Sequence, residues 1–110
     1  MSREVISSAD EVANNPLVIQ GVTVNPDLTP ERFLEKVKGH LPRRGMLGKD
    51  IFDIVVQEEA TNENDPRVLR VASTKLWLKT DAQLKEDYKT CAILVNRKIH
   101  EHRVKIFRQN

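Results

Sequence analysis

The run from Val68 to Lys79, VLRVASTKLWLK, constrains the fold more than any other stretch. It carries the only tryptophan, Trp77, within a block of β-branched residues and leucine, and Lys75 and Lys79 stand two positions to either side of it. Successive side chains of a strand point to opposite faces. Leu76 and Leu78 then share one face, and Lys75, Trp77 and Lys79 share the other. This parity predicts the central strand of a small sheet. A helix competes for the same residues: Asp65-Pro66 offers an N-cap and a first-turn proline, and Leu69, Ala72 and Leu76 keep helical spacing. Such a helix scatters Val68, Val71, Trp77 and Leu78 around its circumference. The strand leaves fewer apolar groups stray and is the preferred reading.

The rest of the chain assembles around that strand. Residues 1–15 form an N-terminal arm, in which Ser8 and Glu11 make a capping-box pattern and Asn14-Asn15-Pro16 ends a short helix. Residues 16–110 form a single α+β domain. Residues 17–24, LVIQGVTV, are short and β-branched between turn formers, which predicts a strand; Gly21 within it marks a bulge or a close backbone approach. Thr29-Pro30-Glu31 opens a helix, with Leu28 stapled to Phe33, a buried stripe of Phe33, Leu34, Val37 and Leu41, and an end at Pro42. Residues 50–57 place Phe52, Ile54 and Val56 on one face of a strand, against a competing helix over 49–60. Thr80 and Gln83 make a second capping box, opening a helix with Leu84, Tyr88, Cys91 and Val95 on its inner stripe. Residues 103–107 then alternate as a last strand. One uninterrupted helix to Phe107 is the alternative, since Val95, Ile99, His102 and Ile106 also keep helical spacing. The order after the arm is βαββαβ, a ferredoxin-like arrangement with two helices on one face of an antiparallel sheet.

With 110 residues, 39% hydrophobic and 31% charged, the chain has material for one core. A lone cysteine, Cys91, excludes an internal disulfide and fits a reducing, cytoplasmic setting. No apolar run is long enough for a signal or a membrane span. Charge is uneven: residues 1–65 carry seven Lys/Arg against twelve Asp/Glu, and residues 66–110 eleven against four. A basic surface for an anionic partner follows, or else internal pairing of the two halves.

On the sheet, the face turned away from the helices carries Lys75, Trp77 and Lys79 from one strand and Arg103, Lys105 and Phe107 from another, extended by Arg43 and Arg44 in the loop after Pro42. Aromatic rings stack on unpaired bases and cations hold phosphates, so this face suits a single-stranded nucleic acid. The competing reading makes Trp77 a core residue with lysine stems packed around it. His100 and His102 share a strand face but lack a third ligand, so no metal site is expected. Cys91 belongs to a core stripe rather than to a nucleophilic site. Asp50 and Asp53 point to opposite faces of a strand, and the Gly45–Gly48 loop lacks a phosphate-cradling motif. The expectation is a binding or regulatory module without catalytic residue or cofactor. Its partner is a nucleic acid or, through the same face or an edge strand, another protein, including a second copy.

Overall fold

In the computed structural model, which describes residues 2–109, the chain is built from α-helices alone. They are α1 (Arg3–Asn14), α2 (Pro16–Thr23), α3 (Pro30–Val37), α4 (Gly48–Glu59), α5 (Pro66–Lys79) and α6 (Ala82–Gln109). No strand occurs among the described residues. The ferredoxin-like α+β arrangement is therefore overturned: the expected strands over 50–57, 68–79 and 103–107 lie within helices, and that over 17–24 is helical up to Thr23, with Val24 as the C-cap of α2.

The reasons are local and tertiary. Three helices begin with proline in their first turn, where the missing N–H costs nothing. Asn15 accepts the Leu17 N–H at 3.0 Å and Asp65 accepts the Arg67 N–H at 2.9 Å, so both run-ins are capped. Once started, α5 is covered by α1 on one side and α4 on another. A helix flanked twice needs apolar groups over a wide arc. Val68, Ala72, Ser73 and Leu76 are buried, and Leu69, Val71 and Trp77 pack half-buried against the core. The scatter that favoured a strand is the signature of this internal helix. Leu78, assigned to the sheet's inner face, is instead 72% exposed.

The same holds for α4, whose buried Ile51, Phe52, Val55 and Val56 recur with helical period. The strand parity of Phe52, Ile54 and Val56 was coincidental. Helix α2 buries Val18 and Val22 despite its β-branched composition, because packing overrides weak propensity. Its Gly21 does mark a close approach, but by the Glu59 side chain: a Cβ there would lie 2.3 Å from Glu59 Cδ. Asn25 turns the chain after α2 with φ of 46°, a conformation asparagine tolerates.

At the N-terminus, Ser2 rather than Ser8 caps α1, accepting the Val5 N–H at 3.2 Å. Helix α1 contributes Val5, Ala9, Val12 and Ala13 to the common core. Thr29 precedes α3 as expected, but its hydroxyl donates to Asp27 at 2.6 Å. Phe33 is fully buried, and Leu28, Leu34, Val37 and Leu41 are partly so. Thr80 ends α5, donating to the Leu76 carbonyl at 2.8 Å, while Asp81 accepts the Leu84 N–H at 2.8 Å and starts α6.

Helix α6 is continuous through 28 residues, about 42 Å at 1.5 Å per residue. The molecule measures 49 × 29 × 20 Å, so α6 runs much of its length. Tyr88, Cys91, Ala92, Val95 and Ile99 form its buried stripe against α3 and α4. Gly48, at the start of α4, lies where a Cβ would meet the Lys89 backbone nitrogen at 2.9 Å, so the two helices cross closely there.

Candidate nucleic-acid interface

With no sheet, the eight residues expected on one open face divide into two groups. Lys75, Trp77 and Lys79 are on α5, Arg103, Lys105 and Phe107 are on α6, and Arg43 and Arg44 are in the loop between α3 and α4. The first group is mostly engaged in the fold. Lys75 pairs with Asp10 of α1. Trp77 meets Phe52 edge-on at 5.1 Å and Tyr88 at 6.1 Å, with the Lys85 ammonium 5.5 Å above its ring. Such edge-to-face contacts add to the burial of large rings. Trp77 is thus part of the core wall, and only Lys79 of its group is exposed.

The second group is brought together. Residues 42–46 lie along α6, held at two points. The Asn96 amide accepts the Met46 N–H at 2.8 Å and donates to the Met46 carbonyl at 2.9 Å. Two turns further along α6, the Arg103 guanidinium donates to the Pro42 carbonyl. Arg43 and Arg44 are fixed between these anchors, both exposed. At 100° per residue, Asn96, Arg103 and Phe107 fall within an arc of about 40° on the side that meets the loop. Phe107 is 83% exposed. Arg97, Lys105 and Arg108, also exposed, occupy a separate arc. None of these six cations has a carboxylate within 4.0 Å among the described residues. By contrast Lys98 is held by Glu31 of α3 at 3.0 Å, which lowers the Glu31 carboxyl below its ordinary value and raises the lysine.

Sequence reasoning missed Arg97, Arg108 and the clamping role of Asn96. The cations from Arg97 on were visible, but with the helix ended near Asn96–Lys98 and residues 103–107 preferred as a strand, they were not placed together on one helix.

Other chemical groupings are structural. On α4, Asp50 and Asp53 share a helix face, not opposite strand faces. Asp50 accepts the Leu47 N–H at 2.6 Å. Asp53 takes Lys49 and the Ser73 hydroxyl, joining α4 to α5. Ser73 is 1% exposed, so no substrate reaches it. His100 and His102 lie 200° apart around α6 and do not converge. Burial pushes the Cys91 thiol up to about 11, keeping it neutral near pH 7. No helix among the described residues is long and apolar enough to cross a membrane.

Comparison with known proteins returned no match among family models, curated proteins or solved structures.

Proposed function

We propose that this chain is a non-enzymatic module that binds single-stranded nucleic acid on the face formed by residues 42–46 and the C-terminal half of α6. The observation that carries the reading is the two-point clamp, Asn96 on Met46 and Arg103 on Pro42. It holds Arg43 and Arg44, free of carboxylates, beside a helix face that ends in an exposed aromatic ring. Fixed cations take phosphates at little ordering cost, and Phe107 offers a stacking surface that Trp77, set in the core wall, does not.

Fluorescence anisotropy with a labelled single-stranded oligonucleotide at low salt tests this. Arg43, Arg44 and Arg103 together give a plot of log affinity against log salt with a slope of about −2, at about −0.7 per phosphate contact. Phe107→Ala lowers affinity by about 1–3 kcal/mol, the worth of one base–aromatic stack. Absence of binding at low salt, or binding insensitive to salt, overturns the reading.

A further inference from the structure

The end of α6 has a second property. Its buried stripe stops at Ile99, yet Ile106, two turns further along nearly the same line, is 44% exposed, and Phe107 beside it is 83% exposed. Exposed Arg103, Lys105 and Arg108 surround the pair. The stub is thus an apolar tip in a basic collar.

Far from α6 in sequence lies a surface of opposite character. Two neighbouring hollows, lined by residues of α1, α2 and the end of α4, share Leu17, Glu59 and Thr61 and are together termed the trough. Its apolar groups include Leu17, 70% exposed, and Val24, 58% exposed. Its carboxylates include Glu11, Glu59 and Glu63, none with a Lys or Arg within 4.0 Å among the described residues. The one cation in the lining, Arg32, is already bound to Glu58 at 2.6 Å and to the Asp27 carbonyl. No residue of α6 lines the trough.

We infer that the trough takes the α6 tip of a second copy of this chain, with Ile106 and Phe107 against Leu17 and Val24 and the basic collar against Glu11, Glu59 and Glu63. Charge complementarity selects this occupant: a polar, acidic trough that exposes Leu17 and Val24 matches a basic tip that exposes Ile106 and Phe107 and is carried by every copy. Pairing two α6 tips with each other fails on the same count, since it sets cations against cations. Tip and trough are different surfaces, so the contact is heterologous and propagates into short oligomers or a ring. The contact area is small, so association is weak and salt-sensitive. The inference does not rest on nucleic-acid binding, but tip and nucleic-acid face share Arg103 and Phe107, so the two partners compete for them.

Sedimentation velocity from micromolar to near-millimolar protein at low and high salt reads the assembly directly. Wild type shows a concentration-dependent rise in mass at low salt that recedes at high salt. Glu11→Lys with Leu17→Gln alters only exposed trough groups, and Ile106→Asp with Phe107→Asp only exposed tip groups. Each double variant, its fold checked by circular dichroism, associates with itself at least about tenfold more weakly, a loss of about 1.4 kcal/mol. Mixed, the two form a 1:1 dimer that grows no further, because one supplies an intact tip and the other an intact trough. A trough variant that assembles as wild type does, a mixture that stays monomeric, or a wild type monomeric throughout at low salt overturns the inference. The trough variant retains Arg43, Arg44, Arg103 and Phe107, so its oligonucleotide affinity tests the nucleic-acid reading separately.

Discussion

The Tyr88 hydroxyl donates a 2.7 Å hydrogen bond to the backbone carbonyl of Val22, joining the second turn of α6 to the last turn of α2. Tyr88 has no solvent exposure, and its ring meets Phe52 edge-on at 5.1 Å. A single side chain therefore ties α2, α4 and α6, with Trp77 of α5 at its edge. Tyr88→Phe keeps the ring and deletes the donor. It leaves the Val22 carbonyl without that partner and lowers unfolding stability by about 1–3 kcal/mol in urea titration. No change in midpoint would mean that the carbonyl finds a substitute donor.

Trp77 separates the core-wall arrangement from the stacking face expected on a sheet. Its indole packs on Phe52 and Tyr88, so Trp77→Ala removes ring contacts and opens a cavity, costing about 3–5 kcal/mol of stability. The same substitution leaves oligonucleotide affinity unchanged wherever the variant remains folded. A stable variant with weakened binding would restore the tryptophan to a recognition role.

What could be read from the sequence depended on which signals stood alone. Thr29-Pro30-Glu31 announced α3 without competition, and Tyr88, Cys91 and Val95 were rightly placed on one helical stripe. Asp65-Pro66 was an equally good helix start, but it lost to the period-two pattern of Lys75, Trp77 and Lys79. Asn15-Pro16, read only as the end of the preceding helix, also opens α2, whose β-branched Val and Ile suggested a strand over 17–24. Those patterns carry little information in an internal helix, where neighbours on several sides make most positions apolar. The basic character of the second half was legible from charge alone. Arg43 and Arg44 were expected to extend it, but the contact that places them was not legible, since Asn96 and Met46 lie 50 residues apart and nothing local pairs them.

Burial of Cys91 and Tyr88 makes stability fall in alkali. Burial pushes the thiol up to about 11 and the phenol above its ordinary value as well. With folded values raised, the unfolded chain loses these protons first. Their contribution to stability is fully present below the ordinary thiol value, about 8.5, and is lost as pH rises through it towards about 11. Urea midpoints should decline across that window, less steeply for Cys91→Ala. The same burial makes Cys91 slow to react with a soluble thiol reagent at neutral pH, at a rate that rises with urea. Rapid native labelling would place the thiol outside the core.

Asn96→Ala tests whether the placement of the loop, rather than its charge, matters. Asn96 carries no charge and is half-buried, and both its hydrogen bonds go to the Met46 backbone. The substitution leaves Arg43, Arg44, Arg103 and Phe107 in the chain but frees one end of the segment that holds the two arginines. Stability falls by about 1–3 kcal/mol, since the Met46 N–H and carbonyl lose their partner. If the clamp organises the binding face, affinity for a single strand also drops, and the salt slope becomes shallower by about 1.4, the equivalent of two phosphate contacts. Arg103→Lys makes the complementary change: it keeps the charge but replaces the guanidinium that bonds the Pro42 carbonyl with a more mobile ammonium. It should weaken binding in the same direction, although net charge is unaltered. If both variants bind as wild type does while Arg43→Ala and Arg44→Ala bind more weakly, the loop acts through charge alone and the clamp serves only the fold.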